Sequence, residues 1–429
     1  MDLVKSNLKK SMELFKKAET IIMNGTQLYS KMPSAGVEGV APIYFVRGEG
    51  CHVWDLEGNK YIDFTMGLGP CMLGYNHPKI RKTVLNQIEI GPIFSLPHPI
   101  EVECAELLTK VVPSAEMVRF LKTGSEATQA AVRIARAYTG KEKIIKGHYH
   151  GWHEWCIAGT IKDGGIPKIY RDYAFEAQYN NLKEYKEIFK KYKGKIAAVI
   201  LEPIEFDEPT DDFLKKIKIL CHENDALLIF DEVVTGFRFS LGGAQEYFNV
   251  TPDICTFGKG MASGYPLSAV VGKKKIFEGA KNKVFISSTF GGETLSLAAC
   301  IGTINILKKE PVHKKIWEIG SKIKNGFNKL AENLGSNIRC IGLPPRLGFD
   351  FTPLRKKIKP DELKTLFMQE VVKRGIYFVW NMLPSYATKD EDIKLALSAF
   401  EDSLKICVTA EKENKVKYKL EGKIPIRVI

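Results

Sequence analysis

From roughly residue 105 to residue 300, apolar runs of strand length alternate with stretches of helical character, and this alternation constrains the fold more than any other feature. Val118 to Leu121 precedes a helix that begins near Ser125, and Lys143 to Lys146 leads into a loop. Ala197 to Leu201 is followed by a helical stretch around Phe213 to Glu223. Ala226 to Phe230, Ile254 to Phe257 and Ser268 to Val271 complete the series. Strands separated by helices predict an α/β domain with a mostly parallel sheet, because a parallel strand needs a crossover to return to its starting edge.

The ends of the chain read differently. The spacing predicts a helix from about Leu8 to Met23, then short strands at Ile43 to Arg47 and His52 to Asp55. After residue 310 it predicts a helix from about His313 to Leu334, strands near Arg339 and at Leu347 to Phe351, and helices from Asp361 to Arg374 and from Asp390 to about Val408. We therefore expect a large domain over residues 60–310 and a smaller α+β domain built from 1–59 and 311–429. No internal repeat is visible.

Composition removes several classes of function. None of the apolar runs approaches the roughly 20 residues that cross a bilayer, and the lysine-studded stretch from Met1 to Lys17 lacks a signal core. The nine cysteines form no C-x-x-C pair, and Cys255 and Cys300 sit inside apolar segments, as reduced thiols do in a cytoplasm. The formal charge of +13 comes from lysines dispersed along the chain, which reads as solvated faces rather than a nucleic-acid surface.

Lys259 lies in Thr256-Phe257-Gly258-Lys259-Gly260, at the end of one predicted strand, and Asp231 ends the preceding one. A lysine that burial can deprotonate and an acid that keeps a pyridine nitrogen protonated are what a Schiff base to pyridoxal phosphate requires. Each has a plainer reading, Lys259 as a surface lysine in a glycine turn and Asp231 as a helix-capping acid. Val233, two residues past Asp231, would lie on the same side if the strand continued, and could pack on a ring face or simply in the core. Thr123-Gly124-Ser125-Glu126 precedes the alanine-rich helix Ala127 to Tyr138 and offers N–H groups, a glycine and a hydroxyl to an anion, or just an N-cap in Ser125. His148-Tyr149-His150-Gly151-Trp152-His153 has a metal-like H-x-H-x-x-H spacing, but neither a carboxylate nor a cysteine is patterned with it, and Tyr149 as a ring-stacking aromatic is the better use. No metal site is expected.

The order of these pieces resembles the class III, fold-type I pyridoxal-phosphate aminotransferases, and within them the branch that includes glutamate-1-semialdehyde 2,1-aminomutase. The likeness runs from Gly48-Glu49-Gly50 through Tyr61-Ile62-Asp63, Gly69-Pro70, Gly74-Tyr75-Asn76-His77-Pro78 and Thr123 to Ala127. It continues through Tyr149-His150-Gly151, Glu202-Pro203, Asp231 to Arg238, Lys259 and Ser288 to Gly292. The resemblance implies a large domain with a mostly parallel seven-stranded sheet and a smaller α+β domain from both termini. It implies Lys259 as the attachment point, Asp231 on the pyridine nitrogen, Val233 and Tyr149 on the two ring faces, Gly124 and Ser125 on the phosphate, and Glu202 beside the cofactor. Thr289 would reach the phosphate of a neighbouring subunit, which implies a homodimer with shared active sites, and Arg238 would serve as a structural ion-pair partner. The implied activity is ping-pong transfer between a small-molecule amino donor and a keto acceptor.

Several departures bear on the substrate. The aminomutases carry an arginine for the substrate carboxylate in the early loop that corresponds to Met32 to Pro42, and this stretch has none. Leu68 stands in place of a pocket tryptophan, and after Glu202-Pro203 the chain reads Ile204-Glu205-Phe206-Asp207-Glu208-Pro209 and reaches the next helix sooner than relatives do. Glu205 and Asp207 either make the pocket wider and more acidic, suited to a substrate with hydroxyl or amino groups such as a keto-sugar derivative, or simply face solvent. An intramolecular aminomutase is the second reading, with the glycine-bearing stretch Ala158 to Pro167 as its lid. A noncatalytic binding protein fits poorly with so complete a cofactor set, and a nicotinamide oxidoreductase would need the G-x-G-x-x-G that Gly67-Leu68-Gly69 does not complete.

Overall fold

The computed structural model describes Val4 and residues 7–426, and the chain falls into two compact units. The smaller is built from residues up to 68, 72–77 and from 314 onward, and the larger from 69–71 and 78–313. In the smaller unit, strands β1 (Phe45–Glu49), β2 (His52–Asp55) and β3 (Lys60–Asp63) pair antiparallel in order.

The larger unit holds β4 (Met117–Leu121), β5 (Lys143–Lys146), β6 (Ala174–Glu176), β7 (Ile196–Leu201), β8 (Leu227–Glu232), β9 (Ile254–Phe257) and β10 (Ser268–Gly272). They form one seven-stranded sheet in the order β4-β10-β9-β8-β7-β5-β6. Only β10 runs antiparallel to its neighbours, as expected of a mostly parallel sheet. Every residue of β7, β8, β9 and β10 is buried, the signature of strands covered on both faces. Helix Gly124–Thr139 covers one face, with Ala127, Ala130, Ala131, Ile134 and Ala135 in the core beside Ile200, Ile229 and Val270. Its small residues let the helix approach the sheet closely.

The C-terminal part of the smaller unit supplies β11 (Arg339–Leu343) and β12 (Arg346–Asp350) as an antiparallel pair, and β13 (Ile376–Tyr377), which joins β3 in parallel. Its core includes an aromatic cluster, with Phe327 in edge contact with Phe349, Phe367 and Phe400 at 4.9–5.7 Å between ring centres. Helix Asp390–Lys412 closes this unit.

Candidate active site

Asp231, Val233 and Lys259 are brought together with the Gly124–Ser125 helix start and Tyr149 near the ends of β8, β9 and β4. β8 ends in two acids that, with successive side chains on opposite faces, have opposite environments. Asp231 is buried, and its Oδ2 lies 2.8 Å from His150 Nδ1 while its Oδ1 accepts from Thr256 Oγ1 at 3.2 Å and from the Val233 N–H at 3.1 Å. Burial alone would raise its pKa, but the His150 hydrogen bond and charge, the Val233 N–H and the positive charge of Lys259 together hold it below the ordinary carboxylate value. Glu232 accepts from the N–H groups of Ala244 and Gln245, from Thr235 Oγ1 and from Gln245 Nε2. There burial wins over neutral donors, and its pKa rises to about 7. Asp231 is thus kept as an anion, and Glu232 is a buried structural acid.

The strand does not continue to Val233. It stops at Glu232, and the chain turns, with the Gly236 N–H on the Glu232 carbonyl at 2.9 Å. The expected alternation therefore does not place Val233; the Asp231 side chain does, by capping the Val233 N–H. Val233 ends up wedged between two glycines: a Cβ on Gly124 would stand 2.8 Å from Val233 Cγ1, and one on Gly258 would stand 3.3 Å from it.

Thr123, not Ser125, caps helix Gly124–Thr139. Thr123 Oγ1 accepts the Glu126 N–H at 3.2 Å, and Glu126 Oε2 accepts the Thr123 N–H at 2.8 Å, a reciprocal capping box. Gly124 and Ser125 then occupy the first two helical positions, whose N–H groups have no intrahelical acceptor and point where the helix dipole favours an anion. Ser125 Oγ takes the Trp152 N–H at 3.3 Å, and Gly151, at φ +112°, lies so close that a Cβ there would be 2.5 Å from that oxygen. Tyr149 is half-exposed above the same serine, its phenol raised by burial against the opposing hydrogen bond from Ser125.

Lys259 follows β9 in a short 3₁₀ turn at φ +41°, a left-handed conformation that is strained for a lysine and occurs where surrounding structure dictates it. Glu202 follows the last residue of β7 and is half-buried, and Thr289 lies exposed just ahead of helix Thr294–Lys309. Arg238 is buried, with Nη2 donating to the Gly69 carbonyl at 3.1 Å. Glu205 is half-buried and Asp207 exposed, and their charges are felt at the Tyr179 hydroxyl, which donates to the Pro203 carbonyl. In the Ala158 to Pro167 stretch, Asp163 Oδ2 gathers the Gly159 N–H at 2.9 Å and Arg171 Nη2 at 2.6 Å, which closes the loop on itself.

The three histidines of the H-x-H-x-x-H motif take separate partners. His148 pairs with Glu176 at 3.1 Å, His150 with Asp231, and His153 stacks on Trp152 at 5.0 Å. His150 is the contact that reading the sequence missed. The signal was available in principle, since an acid ending a buried strand must find a donor, and this loop held unassigned imidazoles.

A cradle this tight fits a flat phosphorylated ring. The helix start offers N–H groups and a hydroxyl, glycines seat Val233 against it, Tyr149 is at hand, and a buried anion lies near the lysine.

A family model described as Aminotransferase class-III matches residues 34–404. A protein named 3-aminobutyryl-CoA aminotransferase from Cloacimonas acidaminovorans (strain Evry) is 37% identical over 411 residues, covering 93% of this chain and 98% of that one. One named glutamate-1-semialdehyde 2,1-aminomutase from Alkaliphilus oremlandii (strain OhILAs) is 36% identical over 421 residues, covering 92% and 99%. Among solved structures, the PLP internal aldimine form of Sphingopyxis sp. MTA144 FumI protein superposes with a TM-score of 0.88 at 26% identity, over 96% of this chain and 98% of that one.

Proposed function

The chain belongs to the class-III aminotransferases, which work with pyridoxal phosphate, and on that footing we propose that it transfers an amino group to or from a molecule whose carboxyl is masked or absent. The observation that carries this reading is the absence of arginine from Met32 to Pro42, where aminomutases hold the substrate carboxylate. A 3-aminoacyl thioester has that carboxyl masked, and the Cloacimonas relative is named for such a substrate. A coenzyme A thioester also carries phosphates, whose encounter a formal charge of +13 would favour. A keto-sugar likewise lacks the carboxylate and is the second reading, suggested by Glu205 and Asp207.

In this proposal Lys259 Nζ attaches the cofactor, Asp231 faces its ring nitrogen, and Val233 and Tyr149 cover its two faces. Gly124 and Ser125 hold the phosphate, and Glu202 lies alongside. When bound, pyridoxal phosphate supplies a carbon that takes up the amine and a cationic ring that draws off electrons. Asp231, kept ionised by His150, holds the proton on the ring nitrogen. Lys259 Nζ, once displaced by the incoming amine, takes the proton from the carbon bearing the amino group and redelivers it. Tyr149 and Val233 keep the ring from tilting, and the helix N-terminus anchors its far end.

The working unit is a homodimer in the cytoplasm, with Thr289 of each copy reaching the phosphate of the other. Two features support the pairing: Leu96 and Phe290 are 78% and 56% exposed, and Thr294 joins their segments through the Pro92 and Gly91 carbonyls at 2.9 and 2.7 Å. All nine cysteines are free thiols, which suits a reducing compartment, and no helix among the described residues is long and apolar enough to cross a membrane.

A half-reaction screen tests the substrate. Loss of the bound cofactor's visible band is followed with 3-aminobutyryl-CoA, free 3-aminobutyrate, an amino sugar, and the diamino intermediate of glutamate semialdehyde isomerisation. The proposal expects the thioester to react at least tenfold faster than the free acid. Equal reaction with the free acid, or preference for the semialdehyde-derived amine, would reject it, and preference for the amino sugar would favour the second reading.

A further inference from the structure

Cys51, His52 and Asp392 meet inside the smaller unit although Asp392 lies 341 residues from Cys51. Cys51 directly precedes β2, is buried, and its Sγ donates to Asp392 Oδ2 at 3.2 Å. His52 Nε2 lies 3.0 Å from Asp392 Oδ1, and the three ligand-capable atoms are all within 4.8 Å of one another. Their positions are set independently. β2 is paired on both edges, and Asp392, in the first turn of helix Asp390–Lys412, is pinned by the Lys389 N–H at 2.9 Å.

We propose that Cys51, His52 and Asp392 form a zinc site with three protein ligands and an open fourth position. Zinc binds thiolate at about 2.3 Å and nitrogen or oxygen at about 2.0–2.2 Å, so tetrahedral ligands stand roughly 3.3–3.5 Å apart. Here His52 Nε2 is 3.0 Å from Asp392 Oδ1 and Cys51 Sγ is 3.2 Å from Asp392 Oδ2, with the sulfur 3.8 Å from His52 Nδ1, so a small expansion about the carboxylate and a turn of the imidazole would admit the ion. A thiolate with an imidazole and one carboxylate selects zinc over magnesium or calcium, which prefer all-oxygen shells. The thiolate and carboxylate together balance the charge of a divalent ion. The acidic first turn, Asp390-Glu391-Asp392, offsets the positive end of the helix that would otherwise repel it.

Loading breaks the S–H bond of Cys51 and forms a Zn–S bond; the proton leaves to solvent, and nothing is oxidised or reduced. Without the ion the same atoms form a hydrogen-bonded trio, with the thiol proton bridging Cys51 and Asp392. Zinc would tie the N-terminal β2 to the C-terminal helix. Those two pieces of one unit are separated in sequence by the larger unit, so the cross-link would close a loop of 341 residues. The site stands apart from the amino-transfer reading and does not depend on it.

The test uses the holoenzyme, stripped with a chelator and dialysed against zinc, with bound metal measured by atomic emission and Tm recorded with and without it. The expected result is one zinc per chain and a rise in Tm, with affinity weakened more than tenfold and the rise abolished in both His52→Gln and Cys51→Ser. His52 is partly exposed, so His52→Gln should fold even if Cys51→Ser does not; circular dichroism of the metal-free variants checks this. Zinc bound at well below one equivalent, or an affinity within tenfold of wild type in His52→Gln, overturns the proposal.

Discussion

Replacing Gly124 with alanine probes whether Val233 and the helix start act as one rigid cradle. The added Cβ would lie 2.8 Å from Val233 Cγ1 and 3.1 Å from Cγ2. Carbon atoms in contact prefer about 3.5–4.0 Å, so something must yield by roughly 0.7–1.2 Å. Val233 has little room to withdraw, since its N–H is bound to Asp231 Oδ1 at 3.1 Å and Gly258 lies against it. Overpacking of this kind costs about 1–3 kcal/mol, equivalent to roughly 5- to 150-fold in a dissociation constant if the strain bears on the cofactor-bound state. The backbone adds no penalty, because Gly124 opens a helix, where alanine is tolerated and in helix interiors is preferred by about 1 kcal/mol. The assay is titration of cofactor-free enzyme with pyridoxal phosphate, read by absorbance, for wild type, Gly124→Ala, Val233→Ala and the double variant. Val233→Ala removes both clashing methyls, so the double variant should recover the affinity that the clash costs Gly124→Ala, a coupling of about 1 kcal/mol or more. Affinity in Gly124→Ala within twofold of wild type, or simple additivity in the cycle, would refute the steric argument.

His150→Phe should move the acid limb of cofactor binding to higher pH. Asp231 has a depressed pKa, so its stabilising charge is present above the unfolded value and lost as pH falls through the folded one. Losing a hydrogen bond to a charged group, worth about 1.5–3 kcal/mol, brings that loss on earlier, and an unmoved limb in the visible absorbance would show that His150 does not hold the carboxylate. Glu232 shifts the opposite way, from 4.5 to about 7, so the native state binds its proton more tightly and stability falls as pH rises between those values, by up to about 3 kcal/mol. Glu232→Gln should flatten Tm over that interval; a slope equal to wild type would mean the carboxyl is not the titrating group. If the proposed homodimer forms, Leu96→Glu should turn it into monomers in light scattering and lower activity, since Thr289 would no longer reach a neighbour, while a dimer of undiminished mass would remove Leu96 from the interface.

Much of the fold was legible because strand length and turn residues repeat along the chain. β7 to β10 are largely apolar and buried throughout, and such strands must be covered on both faces. Short elements escaped: β13 owes its existence to pairing with β3, and two residues such as Ile376 and Tyr377 carry no periodicity. At the candidate site, the placement of Lys259 and Asp231 at the ends of neighbouring strands was legible because strand ends and glycine turns are local features. What lay across the chain was not, and the helix cap went to Thr123 because Glu126 could close a reciprocal box with it.

By itself, then, the sequence determined the order of the elements and the residue types at their ends, since backbone periodicity and turn chemistry act over a few neighbours. Only the tertiary structure decided which of two adjacent acids faces His150, that Val233 is seated by a turn rather than by a strand, and that Cys51 and His52 meet Asp392. Those contacts depend on how separate segments pack and which donors each buried acid can reach, and packing is a property of the assembled chain.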